Sequence, residues 1–399
     1  MQGKGINQKY LRKAGLIALV TVLGMTPPLS TDMYMPSLPK MAVYFHAIPA
    51  LVNMTMVAFF ISMAIGMLIM GPLSDRSGRK KILIISLALY MLASIGCAVT
   101  ASVYLLILMR IIQGLGAGGM VSLSIAIIKD CFEGQTRATA LAVVQSMSVI
   151  APIAAPVIGA LIIQVSTWRT VFIVLAAISA ACLLATFLFE ESIHEDERNE
   201  GGVVDSFKRI AVVSRNRNFS AFLLTVSFYS APFMAYLAVA SYIYEDYFGL
   251  LPTTFSIFFA INALSSVFGP LIYMKVNSRV SIRATMNVLI IAGLASAAAM
   301  LLIGNISPVV FLATMIPFSI VNSYMRPFST NILLDQVKGD TGSASALLNF
   351  MHTLLGSIGM FIGSLPWSSY IGGVGITMIG FILIALVLWI ITARITSLK

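Results

Sequence analysis

Apolar runs of about 20 residues recur through the chain at spacings of roughly 30, and the charged residues crowd into the gaps. Twelve such runs can be drawn, at 14–38, 50–72, 82–100, 103–128, 138–163, 170–189, 219–244, 254–275, 283–303, 308–331, 341–364 and 370–393. Only 10% of the residues are charged, against about 25% in soluble domains. Strands of a membrane barrel are about 10 residues long and alternate in polarity, so runs of this length are expected to be helices. The fold class expected is an all-α membrane protein of twelve transmembrane helices. Pro27, Pro28 and Asp32 interrupt the first run, and no small-residue cleavage pattern follows. It is therefore read as a retained span and not as a signal peptide.

The basic residues orient the chain. With twelve spans and the N-terminus inside, the cytoplasmic stretches hold 21 of the 25 Lys and Arg, and the outer loops hold Lys40 and Arg169 alone. Arg110 and Arg326 fall within spans. This is the bias of the positive-inside rule, with both termini cytoplasmic. The net charge of +10 thus reflects topology, and no nucleic-acid partner is implied. Three cysteines, two of them within spans, suggest neither a disulfide framework nor a metal site. There is no His-Glu-x-x-His helix, no glycine-rich phosphate loop, and no Ser or Cys with a plausible base. No cofactor is called for, and an enzyme or sensor has no residues behind it.

The chain reads as two halves. Residues 190–217 form the one long polar insert, with seven acids and five bases. They are expected to be a cytoplasmic linker between bundles at 1–189 and 218–399, a tether with a short amphipathic helix. Gly71-Pro72-Leu73 and Gly269-Pro270-Leu271 end corresponding spans 198 residues apart. An internal repeat of six spans implies two pseudo-symmetric six-helix bundles, with a substrate site near the midplane.

Asp32 is the single carboxylate of the first run. Burying an ionised Asp at mid-bilayer costs at least ~2.5–3.5 kcal/mol on insertion scales. At 1.5 Å per residue it lies about 12 Å below the outer end of its span, and Arg110 lies about 10 Å below the same end of the fourth. Gln113, three residues on, shares the Arg110 face. Arg110 and Gln113 are expected to hold Asp32 when it is ionised and to lose it when a proton binds. A carboxylate that alternates in this way is a proton carrier; the other reading is a static ion pair between spans one and four.

Four segments carry a family resemblance. The stretch GPLSDRSGRK after the second run resembles the signature loop of the major facilitator superfamily. LMRIIQGLGAGG around Arg110 is similar to the Arg-x-x-Gln-Gly motif of its drug:proton antiporter branch. APIAAPVIGA resembles the antiporter motif of span five, although Ala155 and Ala160 stand where glycines are usual. DMYMPSLP at the end of span one is similar to the Bcr/CflA group, named for bicyclomycin and chloramphenicol resistance. The resemblance implies the fold of that superfamily, a bacterial inner membrane, and a conformational switch. In the loop, Gly71 and Gly78 would permit close approach, Arg76 and Arg79 would hold the cytoplasmic end, and Asp75 would meet the N-terminus of span eleven. The span-five stripe adds Pro152, Pro156 and Gly159 as bending and close-packing positions.

Candidate substrate-binding residues are Met56 and Phe60 in span two, Gln145 and Ser148 in span five, Tyr229, Phe233 and Tyr236 in span seven, and Asn349 and His352 in span eleven. Flat organic molecules stack on aromatic side chains, and methionine suits a tolerant surface. Arg326, about five residues from the inner end of its run, is read either as snorkelling to water or as part of a cavity. The expected activity is export of small amphipathic drugs in exchange for protons by a monomer in the lipid bilayer. Export of one metabolite or siderophore is the alternative within transport.

Overall fold

The computed structural model describes residues 8–193, 202–277, 279–337 and 341–395. Part of the expected linker, residues 194–201, lies outside the described residues. Helices carry nearly the whole chain, and no strand occurs among the described residues. They are α1 (Arg12–Asp32), α2 (Leu38–Tyr44), α3 (Pro49–Ser77), α4 (Arg79–Val99), α5 (Val103–Cys131), α6 (Gly134–Val165) and α7 (Trp168–Phe187), followed by α8 (Gly202–Ser214), a short helix in the expected linker. Then come α9 (Arg217–Ser241), α10 (Pro252–Ser265), α11 (Phe268–Val276), α12 (Ile282–Ile303), α13 (Pro308–Asp335), α14 (Thr341–Gly363) and α15 (Tyr370–Ile395). Among the described residues, 12 helical segments are long and apolar enough to cross a membrane, with α1 and α2 making one and α10 and α11 another. The membrane-protein fold class and its twelve spans are as the sequence leads one to expect.

By contact the chain divides into two compact units, Met1–Ser37 with Ala58–Phe207, and Leu38–Val57 with Lys208–Lys399. Residues 38–57, expected in the first half, therefore group with the second. Hydrogen bonds account for this, since Tyr242 donates to the Leu38 carbonyl at 3.3 Å and Asn53 to the Ser364 hydroxyl at 3.0 Å.

Within the two units the same helix pairings recur. In the first, α1 packs on α6 and α7, and α4 packs on α5 and α7. In the second, α9 packs on α14 and α15, and α12 packs on α13 and α15. Counted as spans, these are the same four pairs. The repeated Gly-Pro-Leu segments also act alike. A Cβ on Gly71 of α3 would meet Ser122 of α5, and one on Gly269 of α11 would meet Ser323 and Tyr324 of α13. Lipid supplies no hydrophobic drive for helices to associate, so close backbone approach at small residues carries the packing.

Two further features shape the region around Asp32. Pro36 and Pro39 lack the N–H groups that would bond the carbonyls of Asp32 and Met35. The helix accordingly stops at Asp32, passes through a 3-10 turn at Met35–Ser37, and restarts as α2. Against this break lies Gly159 of α6, where a Cβ would overlap the Met33 carbonyl. Neither partner is a side chain that can swing away. Gly159→Ala is expected to push α6 off the break and to cost about 1–3 kcal/mol. In detergent its thermal unfolding midpoint should fall by several degrees, and an unchanged midpoint would contradict this close contact.

Candidate functional site

The site in the first unit is built on α1. Its two internal prolines remove N–H groups from the helix ladder, and hydroxyls bond carbonyls alongside them. Ser30 donates to the Thr26 carbonyl at 2.6 Å, Thr31 to that of Pro27 at 3.0 Å, and Thr26 to that of Val22 at 3.2 Å. Asp32 follows at the last residue of the helix, 6% exposed. Its carboxylate oxygen Oδ1 accepts the Thr31 hydroxyl at 2.8 Å. One hydroxyl hydrogen thus has two acceptors, a backbone carbonyl and a carboxylate.

Arg110 of α5 is fully buried. Its Nη1 donates to the Ser30 carbonyl at 3.0 Å and to Gln113 Oε1 at 2.5 Å. The guanidinium carbon sits 4.2 Å from the centroid of the Phe59 ring, 4.9 Å from Tyr34 and 5.8 Å from Phe172. The negative faces of three rings therefore help to host a cation that has left water. Gln113 in turn donates to Ser94 of α4 at 2.7 Å, and Ser30 shares a hydrogen bond of 2.6 Å with the Tyr90 hydroxyl. The network ties α1, α4 and α5 together.

Asp32 and the Arg110 network both reach the last turn of α1. Asp32 accepts a hydrogen bond from Thr31, and Arg110, which also donates to Gln113, donates to the carbonyl of Ser30, two residues earlier on α1.

The α3–α4 turn places the loop residues. Gly78 has φ of +94°, a region that a side chain disfavours, and it starts α4. Arg79 is the centre of the turn, paired with Asp75, with Asp130 Oδ2 at 2.9 Å, and donating to Ser74 at 2.6 Å. Arg76 is exposed. Glu191 caps α4, accepting from the backbone N–H groups of Arg79 at 2.8 Å and Lys80 at 3.1 Å. A carboxylate is favoured at a helix N-terminus. Sequence reasoning missed Asp130 and Glu191, reading the second as one more linker charge.

Of the span-five stripe, Ser148 bonds its own helix at Val144, at 2.9 Å, and Gln145 is exposed. Pro152 and Pro156 lie inside the unbroken α6. Met56 and Phe60 are buried. In the second unit Tyr229 is fully buried and donates to the Leu289 carbonyl at 2.7 Å. Tyr236 is fully buried among Phe259, Phe311 and Phe233. Here these two tyrosines are interhelical packing and not an open stacking face. Phe233 is half-buried, Asn349 is exposed, and half-buried His352 shares a hydrogen bond of 3.1 Å with Ser230.

Arg110 carries the clearest structural expectation. Arg110→Lys keeps the charge and loses both the flat stacking group and the fork of donors. It should lower stability by about 1–3 kcal/mol, read as the thermal midpoint in detergent. A midpoint equal to that of the parent would contradict the role of the three rings.

The chain matches the Major Facilitator Superfamily over residues 20–360. It is 32% identical over 356 residues to "Uncharacterized MFS-type transporter YdgK" of Bacillus subtilis, covering 88% of each chain. It is 25% identical to "Bicyclomycin resistance protein homolog" of Haemophilus influenzae, over 71% of this chain and 73% of that one. With "Multidrug resistance protein MdtL" of Escherichia coli it shares 34% identity over 166 residues, 41% of this chain and 42% of the other. Among solved structures, a D-xylose-proton symporter superposes with a TM-score of 0.75 at 16% identity, over 96% of this chain and 98% of that chain. That likeness concerns the fold alone. Twelve membrane-length helices, a six-span repeat and these matches together place the chain in the Major Facilitator Superfamily, as a multi-pass membrane transporter and not an enzyme.

Proposed function

We propose that this protein exports small amphipathic drugs in exchange for protons, with Asp32 as the proton carrier. The observation that carries the reading is a buried carboxylate at a proline-made break in a membrane span, one hydroxyl away from a backbone carbonyl. The bicyclomycin-resistance and multidrug-resistance names of two relatives support the substrate class. The host is read as a bacterial inner membrane, with both termini on the cytoplasmic side as the basic residues argue.

The chemistry follows from the geometry. Ionised Asp32 draws the Thr31 hydroxyl and the positive field of Arg110, which α5 holds against the Ser30 carbonyl. Protonated Asp32 needs neither, so Thr31 turns fully to the Pro27 carbonyl, and a neutral carboxyl crosses an apolar environment far more easily than an anion. Arg110 and Gln113 act as positioning groups that keep a fixed cation near the carrier. Gly78, Asp75, Arg76 and Arg79 would make the turn that changes partners between states. Pro152, Pro156 and Gly159 would let α6 bend against the break. A substrate that favours ionised Asp32 on one side of the membrane and a proton that replaces it on the other give exchange.

Inverted membrane vesicles test this. With an imposed proton gradient, the wild type should concentrate amphipathic drugs such as quinolones. Asp32→Asn, checked for normal abundance in the membrane, should lower gradient-driven uptake at least tenfold. Gradient-driven accumulation by the Asn variant at the parental level would sink the coupling assignment.

A further inference from the structure

The second unit holds a cation that the coupling scheme leaves unused. Arg326 lies on α13, nine residues before its last residue, Asp335. At 1.5 Å per residue this places it about 13 Å from that end, deeper than the sequence suggested because α13 runs on past residue 331. Its guanidinium has no acceptor among the described residues. The acids between residues 208 and 399 are Glu245, Asp246, Asp335 and Asp340. The first two close the span begun by α9, Asp335 ends α13, and the placement of Asp340 is not described. Arg326 is exposed.

Its neighbours are polar. Asn322, one turn earlier on the same helix face, has a buried amide oxygen with no partner. α14 packs against α13, and His352, eleven residues from the start of α14 and so about 16 Å along it, lies at a depth like that of Arg326; its Nε2 is buried without a partner. Its Nδ1 is engaged by Ser230 of α9 at 3.1 Å. When Ser230 donates there, Nε2 carries the hydrogen and is a donor with nothing to bond. Asn322, read in its other amide orientation, adds a second donor. The polar face also differs from the lipid-type face of these helices. Ile358 and Phe361 are exposed on the side of α14 opposite Asn349, and Val309 is exposed on another side of α13 from Arg326. Phe233 and Met234 flank this face on α9, one turn beyond Ser230.

We propose that Arg326, His352 and Asn322 form an anion subsite for the carboxylate of an amphipathic substrate, with Phe233 against its apolar body. This rests on reading the chain as an exporter of such molecules, and it names their charge. A guanidinium fork matches a planar carboxylate with two parallel hydrogen bonds. The histidine and asparagine donors, both otherwise idle, come from the packed pair α14 and α13. A neutral amide of the same shape cannot accept the same pair of charge-assisted bonds. The substrates expected are therefore aromatic acids and zwitterions, and divalent cations are excluded by the resident charge.

The test is equilibrium binding to the full-length protein in detergent, with no proton gradient. The probes are 1-naphthoate and nalidixate, each compared with its primary carboxamide. The parent should bind each acid at least tenfold more tightly than its amide. Arg326→Gln should bring that ratio close to one, and Arg326→Lys should restore part of it through charge alone. Size-exclusion profiles check folding; should Arg326→Gln fail to fold, Asn322→Leu is expected to cut the ratio by a factor of about three. The proposal is overturned if the parent binds acids no better than amides or binds neither, or if Arg326→Gln keeps the preference. Proton-driven uptake together with no acid preference would sink this site alone. Acid preference together with uptake indifferent to Asp32→Asn would sink the coupling reading alone.

Discussion

A guanidinium with no access to water has to be hosted by protein, and the first unit is arranged around doing so. Arg110 is stacked among Phe59, Tyr34 and Phe172, and it bonds the Ser30 carbonyl and Gln113. Gln113 needs Ser94, and Ser30 needs Tyr90. Each of these polar groups would be costly if left alone in hydrocarbon, and each is satisfied by the next. The fixed positive charge that results lies two residues along α1 from the one carboxylate of that helix. Proton binding at Asp32 gains its consequence from that neighbour.

The same constraint explains why hydroxyls and glycines matter more here than large apolar side chains. Prolines at 27, 28, 36 and 39 open the ladder of the first span, and Ser30 and Thr31 add hydrogen bonds to the carbonyls nearby. Gly159 lets α6 touch the break, and Gly71 and Gly269 repeat one helix contact in the two units. A bilayer removes water as a partner for the backbone and removes the hydrophobic drive between helices. Breaks are thus held by short polar side chains, and packing is held by the absence of side chains.

Much of the fold was legible, because span length and the placement of charge are direct consequences of the bilayer. The depth of Asp32 and Arg110 was legible too, since rise per residue is constant. The Ser30 carbonyl as an acceptor for Arg110 was not, because depth names no backbone partner. Tyr229 and Tyr236 looked like a stacking surface by spacing, yet Tyr229 bonds the Leu289 carbonyl and Tyr236 packs on Phe259. An aromatic stripe reads the same whether it lines a pocket or fills a core. Glu191 was hidden for another reason: its partners are backbone N–H groups of a helix start far away in sequence. The depth of Arg326 was underestimated because α13 continues through polar residues that hydropathy assigns to a loop.

The central claim is that substrate and proton compete for the state of Asp32. The most direct measurement is the pH change of a weakly buffered detergent solution of the protein when a transported compound is added. The account expects the wild type to release protons as the compound binds, and Asp32→Asn to bind it with no release. Equal release from both proteins would contradict the account.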